Sequence, residues 1–114
     1  MSQYLIENVT ADGLLVPSLV ANDGTVSHHR EILKSHLLDL GLNMWRASPG
    51  IYNYEGHPKG ETFVVISGEA DILINGAETH HLTAGSVVSL PPNTPSEMTV
   101  QALLHKVSLN MTRG

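Results

Sequence analysis

From Gly41 onward the sequence alternates short apolar runs with turn-forming residues at intervals of roughly ten residues, and this spacing constrains the fold more than any other feature. Runs this short leave little room for helices, and the pattern is typical of a β-sandwich or β-barrel. We therefore predict an all-β fold. The predicted strands cover residues 42–47, 51–57, 63–66, 70–74, 77–82, 86–90, 97–101 and 103–109.

The turns between these runs have recognisable residue signatures. Asn75-Gly76 accepts the positive φ values of a type I′ hairpin, which would join the runs 70–74 and 77–82. The sequence Pro-Pro-Asn-Thr-Pro at 91–95 lacks backbone amide donors, so it ends the strand before it. Residues 57–60, His-Pro-Lys-Gly, fit a type I turn, because Pro suits the second position and Gly the fourth.

Residues 1–40 allow two interpretations. Ser27 as an N-cap, the apolar residues Ile32, Leu33 and Leu37 at helical spacing, and Gly41 just beyond favour a helix over about residues 28–40. The weak alternation of apolar and polar residues in the same segment is also compatible with short strands.

The segment Glu55-Gly-His57-Pro-Lys-Gly-Glu61 contains two carboxylates and an imidazole around a tight turn. On a regular strand Glu55 and His57 would face the same side, and the turn would fold Glu61 back opposite them. Oxygen, nitrogen and oxygen donors would then converge on one point. This set suits Mn²⁺, Fe²⁺, Ni²⁺ or Zn²⁺, so we predict a divalent metal site at Glu55, His57 and Glu61.

Composition excludes several classes of function. The chain has 114 residues, which is enough for one hydrophobic core, and its formal net charge is −5 with only six Lys plus Arg, so we expect no nucleic-acid partner. Without cysteine, any metal must be held by His and carboxylates. No apolar run is long enough for a membrane span and no signal peptide is evident, so we expect a cytoplasmic protein without a membrane partner.

Two stretches resemble the sequence motifs of the cupin family. Gly50, Glu55, His57, Glu61 and Gly68 resemble the first motif, with Glu55 in place of its first His. Residues 85–93, Gly-Ser-Val-Val-Ser-Leu-Pro-Pro-Asn, resemble the second, with Asn93 in place of a Gly because Asn tolerates a left-handed φ. Residues 41–107 are most similar to the small single-domain cupins grouped with the ureidoglycine aminohydrolase and ethanolamine-utilisation cupin domains.

This resemblance implies a double-stranded β-helix, the cupin jelly roll, built of two antiparallel sheets. It implies a single domain over residues 1–114, with amino-terminal strands or an arm in 1–40, rather than a helix, and the barrel in 41–110. It also implies a homodimer that pairs edge strands. In ureidoglycine aminohydrolases a Mn²⁺ ion is held by a ligand set to which Glu55 and His57 are similar; Glu61 stands at the position of a further His, and Ser96 at that of the usual His or Gln.

Other side chains are candidates for the ligand pocket. We expect Glu61 to be the catalytic acid or base, since walls such as Phe63 and Val65 would raise the pKa of its carboxyl. Only one of the adjacent His80 and His81 can face inward. The candidate ligand-binding residues are His81, His105 and Ser96. We interpret His28, His29 and His36 as surface or interface residues, although an amino-terminal arm could place one of them over the barrel mouth. Trp45, Tyr52 and Tyr54 are interpreted as core or cavity residues, and Arg46 and Lys106 as solvated charges or receptors for an anionic substrate.

Two functions follow from these residues. One is a small enzyme that uses a divalent metal to hydrolyse or deaminate a ureido or amino compound. The other is a metal-free module that binds or senses a small polar metabolite, which the absence of a His at position 96 favours. A sugar-nucleotide epimerase of the same fold is a third, weaker interpretation, because the chain has few basic residues to bind a pyrophosphate.

Overall fold

The computed structural model of the protein describes residues 8–10, 15–35 and 40–111. Within these ranges the secondary structure consists of eight strands and turns, and the predicted all-β fold is confirmed. No helix long and apolar enough to cross a bilayer lies in this part of the chain. The strands are β1 Val16–Val20, β2 Val26–Ser35, β3 Leu40–Ala47, β4 Gly50–Tyr54, β5 Glu61–Ile74, β6 Glu78–Leu82, β7 Val87–Leu90 and β8 Ser96–Met111.

Two long strands, β5 and β8, organise the barrel. The first half of β5 pairs with β7 and the second half with β6, while β8 pairs with β4 near its start and with β3 near its end. The two long strands also pair with each other along most of their length. One antiparallel sheet therefore runs β1-β2-β3-β8-β5-β7 and the other β4-β8-β5-β6, which is the expected jelly roll.

The strands predicted over 63–66 and 70–74 are one strand, β5, and those over 97–101 and 103–109 are one strand, β8. The bend that mimics a break in the sequence is a set of register shifts between Val65 and Ala70. Gly68 lies in this bend with φ +95°, and a Cβ there would stand 2.2 Å from the Leu103 carbonyl oxygen. Only glycine allows β5 and β8 to approach so closely while they turn from one sheet into the other.

The described amino-terminal residues form strands, as the family resemblance implied, so the helical interpretation is wrong over residues 28–35. Residues Val26–Ser35 form β2, which pairs with β1 on one side and β3 on the other. Ser27 does not cap a helix; it is fully buried and its hydroxyl donates to the Leu19 carbonyl over 2.6 Å. Residues 36–39, which include His36 and Leu37, lie outside the described residues.

The predicted turns are confirmed by their hydrogen bonds. The Gly60 amide donates to the His57 carbonyl over 3.0 Å, and the Ala77 amide donates to the Ile74 carbonyl over 3.0 Å. Asn75 and Gly76 both have positive φ, as a type I′ turn requires, and Asn93 has φ 57°.

The core lies between the two sheets and is mainly aliphatic, with an aromatic group on one side. Its buried members are Ala21, Trp45, Ala47, Tyr52, Phe63, Val65, Ala70, Ile72, Leu82, Met98, Val100 and Leu104. The aromatic side chains are concentrated where the barrel opens into a cavity, so the core and the candidate site share a wall.

Candidate functional site

A cavity of about 480 Å³ opens inside the barrel. Six strands contribute residues to its lining, namely β1, β2, β3, β4, β5 and β8. The lining residues are Ser18, Leu19, His29, Asn43, Met44, Trp45, Tyr52, Tyr54, His57, Glu61, Phe63, Ile72, Ser96, Met98, Lys106 and Ser108. A mostly apolar wall with a few converging polar groups is typical of small-molecule sites.

A buried ion pair is the main polar feature of this cavity. The Lys106 ammonium lies 3.3 Å from Glu61 Oε1, and both side chains are only 12% exposed. The Ser108 hydroxyl donates to the same carboxylate oxygen over 2.8 Å. Lys106 and Ser108 share one face of β8 because strand residues two apart point the same way, and β5 brings Glu61 beside them.

Two aromatic rings complete the surroundings of the ammonium. The Lys106 nitrogen lies 4.1 Å from the centre of the Phe63 ring and 5.2 Å from that of Trp45. Both contacts are cation–π interactions, which are strongest where water is excluded. Burial lowers the pKa of the Lys106 ammonium, and the neighbouring Glu61 carboxylate opposes that shift.

The wall behind the ion pair is fixed by hydrogen bonds from the amino-terminal strands. The Trp45 indole nitrogen donates to the Ser27 hydroxyl over 2.9 Å, and Ser27 in turn donates to Leu19 on β1. Tyr52 packs edge-on against Trp45 with ring centres 5.3 Å apart, and its hydroxyl donates to the Ser48 carbonyl. The aromatic wall is thus held in one orientation.

The structure brings together two of the three predicted metal ligands. His57 and Glu61 line the cavity, whereas Glu55 is exposed and borders a separate cavity of about 310 Å³. The alternation assumed from the sequence fails because β4 ends at Tyr54 and Gly56 adopts φ +108°. That left-handed residue turns Glu55 and His57 to different sides, so the predicted convergence of Glu55, His57 and Glu61 is corrected.

The residues present do not fit a divalent metal. No group of three or more His, Asp and Glu side chains within residues 8–10, 15–35 and 40–111 is placed to hold one. Nδ1 of His57 already accepts the Lys59 amide over 3.0 Å, and Glu61 is bonded to an ammonium. At an effective dielectric constant of about 20, two unit charges about 4 Å apart interact by about 4 kcal/mol. A divalent ion at Glu61 carries two charges, so its repulsion by the Lys106 ammonium would be roughly twice that energy.

Of the predicted ligand-binding residues, only Ser96 reaches the cavity. Ser96 and Tyr54, paired across β4 and β8, line both cavities and form the partition between them. Burial, and to a smaller extent the Glu61 charge, raises the pKa of the Tyr54 hydroxyl.

The histidines predicted to bind ligand lie elsewhere. His81 is exposed on β6, where its Nδ1 lies 2.7 Å from Asp71 Oδ1. His105 is half-buried and hydrogen-bonded to Ser67 over 3.0 Å, on the face of β8 opposite to Lys106. Neither His81 nor His105 borders the cavity, which corrects both assignments. For His105 the reason is strand alternation, and for His81 it is that no residue of β6 reaches the cavity. His29, interpreted as a surface or interface residue unless an amino-terminal arm placed it over the barrel mouth, lines the cavity, and its strand partner is Trp45.

Several residues of the cavity could not be predicted from the sequence. Lys106 allowed two interpretations, and no sequence pattern marked Ser108, Asn43 or Ser18 as cavity residues. The one available clue is periodicity: if buried Leu104 faces inward, so do Lys106 and Ser108. The partner of Lys106 is 45 residues away in sequence, which no local pattern reveals.

Comparison with known proteins agrees with this architecture. A family model described as the EutQ-like cupin domain matches residues 41–107, from the second residue of β3 to the last third of β8. No curated protein sequence matches the chain significantly.

Solved structures with the same fold include a cupin-like protein from Thermotoga maritima MSB8, with a TM-score of 0.68 at 18% identity over 90% of this chain and 83% of that one. The EutQ protein of Clostridium difficile gives 0.68 at 17% identity, over 82% of this chain and 74% of its own. A putative ethanolamine utilization protein Q from Salmonella typhimurium LT2 gives 0.67 at 11% identity, over 90% and 100%. At these identities the likeness concerns the fold alone.

Proposed function

The chain belongs to the EutQ-like cupin domain family, and from that premise we propose that its barrel binds a small polar metabolite through the Glu61–Lys106 ion pair, without a metal ion. One observation carries the proposal. The cation in this cavity is the Lys106 ammonium, held 3.3 Å from Glu61 and largely buried.

The size and lining of the cavity support a small ligand with an apolar part. A volume of about 480 Å³ lies within the range of roughly 300–1,000 Å³ that is usual for small-molecule sites. Trp45, Phe63 and Met98 offer an apolar surface, and the polar groups gather around Glu61. A ligand would therefore place its polar end at the ion pair and its apolar part against the aromatic wall.

The ion pair can both donate and accept hydrogen bonds. A lysine ammonium has three N–H donors, and Lys106 donates to Glu61 with one of them. Both bonds to the Glu61 carboxylate end on Oε1, which leaves Oε2 as the acceptor we assign to the ligand. Hydroxyl and carbonyl groups match such a pair.

The Trp45 side chain makes the proposal directly testable, because it lines the cavity and is the only tryptophan in the sequence. We expect members of a panel of small hydroxy, oxo and carboxylic acids and polyols to change the Trp45 fluorescence in a saturable way. Lys106→Met should weaken that binding by tenfold or more, whereas Glu78→Gln, at an exposed residue of β6, should leave it unchanged. Equal binding to the wild type and Lys106→Met would refute the role of the ion pair.

Metal-assisted hydrolysis of a ureido or amino compound is the alternative, and metal analysis separates it from our proposal. We expect protein purified without chelators to contain far less than one metal ion per chain, and dialysis against Mn²⁺ or Zn²⁺ not to load it. Uptake of one equivalent that also quenches Trp45 fluorescence would overturn the metal-free proposal and favour the metal-assisted alternative.

We also propose that the protein forms a homodimer. Among the strands described, β1 and β6 are the ends of the main hydrogen-bonded path, and Val16, Val20 and Val26 are exposed along the β1 side. Unpaired strand edges with apolar side chains favour self-association. A monomeric mass by light scattering at micromolar concentration would contradict this proposal.

A further inference from the structure

The cavity combines a base and a cation at a single point. Glu61 and Lys106 are in contact, both are largely buried, and both open onto the same apolar-walled space. The comparable contact on the outside of the barrel, between Asp71 and His81, is exposed to solvent and lines neither cavity. The inner pair is thus the one charged pair of the described chain placed for chemistry on an enclosed ligand.

Removal of a proton from a carbon next to a carbonyl group requires these two elements. A base must accept the proton, and a positive group must stabilise the negative charge that develops on the carbonyl oxygen. Preorganised charges do this best where water is excluded. The Phe63 and Trp45 rings lie against the Lys106 ammonium, and the Lys106 side chain is only 12% exposed.

We infer that the Glu61–Lys106 pair catalyses proton exchange at the carbon next to the carbonyl group of a small ketone or 2-oxo acid. This inference rests on the proposed function, since the carbonyl compound must first bind at the ion pair. It adds both a substrate class and a reaction to that function.

The step balances without an oxidant, reductant or second substrate. The C–H bond breaks and its proton passes to Oε2 of Glu61. The electron pair of that bond forms a carbon–carbon double bond, while the π electrons of the carbonyl group move to its oxygen. The resulting enolate oxygen accepts a hydrogen bond from the Lys106 ammonium. The proton held by Glu61 is replaced by one from solvent water, and transfer of that proton to carbon regenerates the ketone. The net result is exchange of the hydrogen with solvent or, in a suitable substrate where the proton returns to a different position, isomerisation.

The residues around the pair have defined positioning roles. Lys106 and Ser108 both bond to Oε1 of Glu61, which fixes the plane of the carboxylate and directs Oε2 to the ligand. The Phe63 ring lies against the ammonium and limits its movement away from the carbonyl oxygen.

The test is hydrogen–deuterium exchange in D₂O, followed by ¹H NMR on 2-oxobutyrate and butan-2-one, an anionic and a neutral ketone of equal carbon number. We expect the full-length wild type to accelerate loss of the α-hydrogen signal of at least one probe by about 100-fold or more over buffer, the lower end of what general acid–base catalysis contributes. Glu61→Gln should abolish the acceleration, and Glu78→Gln should retain it. Because Glu61→Gln leaves Lys106 without its partner, the double variant Glu61→Gln/Lys106→Met, which removes both charges, is measured alongside it.

The outcomes separate this inference from the proposed function. The inference is supported if the wild type exchanges a probe faster than Glu61→Gln or faster than the double variant. If a probe changes Trp45 fluorescence but the wild type exchanges no faster than the double variant, the inference is overturned, and the comparison with Lys106→Met then decides whether the probe binds at the ion pair. If neither probe binds or exchanges, the inference is also overturned, and the wider ligand panel then decides the proposed function.

Discussion

Strand β5 carries two contacts between an acid and a base, one on each side of the barrel wall. Inside, Glu61 lies 3.3 Å from Lys106, with both side chains 12% exposed. Outside, Asp71 lies 2.7 Å from His81, with exposures of 37% and 52%. The shorter contact is the exposed one, so the distance between the charged groups does not show which pair is functional. The inner pair is the functional candidate because it is buried and lines the cavity.

The two pairs also differ in their support. The outer pair receives a bond from Gln101 to Asp71 over 2.8 Å, all within reach of water. The inner pair is held by Ser108 and two aromatic rings, with little water to replace a lost partner. Removing one member of each pair should therefore have very different costs.

The largest effect we expect comes from breaking each pair in turn. Glu61→Gln leaves the Lys106 ammonium buried without a counter-charge and should lower the free energy of unfolding by about 3 kcal/mol. Asp71→Asn should lower it by less than about 1 kcal/mol, as is usual for exposed pairs. Urea denaturation measures both, and equal losses would show that the inner pair is solvated.

A second contrast compares hydroxyl bonds inside and outside the barrel. Ser27→Ala removes the buried acceptor of the Trp45 indole and should cost about 1–2 kcal/mol, with a shift in Trp45 emission. Ser89→Ala removes the exposed Thr62–Ser89 bond and should cost less than about 0.5 kcal/mol. Thermal denaturation compares the two variants, and an unchanged emission in Ser27→Ala would contradict the fixed wall.

The pH dependence of stability sharpens the comparison further. Burial lowers the pKa of Lys106 in the folded state below its ordinary value of 10.5. Between the lowered value and 10.5, the unfolded chain binds more protons at this site, so the cost of burying the charge falls as pH rises. The wild type should therefore gain stability relative to Lys106→Met as the pH approaches 10.5. Tyr52 and Tyr54, whose pKa values are raised, act in the opposite direction but are common to both proteins.

The smallest effect concerns salt. Ions screen exposed charges but reach buried ones poorly. Raising the ionic strength from about 0.01 M to about 1 M should abolish most of the small difference between Asp71→Asn and the wild type, while the larger difference for Glu61→Gln should persist. A loss at Glu61 that disappears with salt would place the inner pair in contact with bulk water.

The sequence predicted the positions of most strands but not that two pairs of predicted strands are each one continuous strand. Apolar runs and turn residues located every strand from β3 to β8, yet β5 and β8 were each predicted as two strands. Gly68 has the appearance of a strand terminator but lies in a bend of β5, and the division of β8 falls at Ala102, opposite the same bend. The amino-terminal strands were favoured only through the family resemblance, since their alternation is weak.

The candidate site was predictable in part. Glu61 and His57 were found from their place around the turn, whereas Glu55 was misplaced because a single left-handed Gly56 cancels strand alternation. Lys106 was undecided because a lysine in isolation is usually solvated. Its burial depends on Glu61, Phe63 and Trp45, which meet it only after β3, β5 and β8 have paired.

The boundaries of the family match have a practical consequence. They begin in β3 and end before Ser108, yet β2 covers one edge of β3 and supplies Ser27 behind Trp45. A recombinant fragment trimmed to residues 41–107 would bare a row of backbone amides and carbonyls along β3, a template for polymerisation. A recombinant form of this barrel therefore has to keep strands β1 and β2, which lie outside the residues matched by the family model.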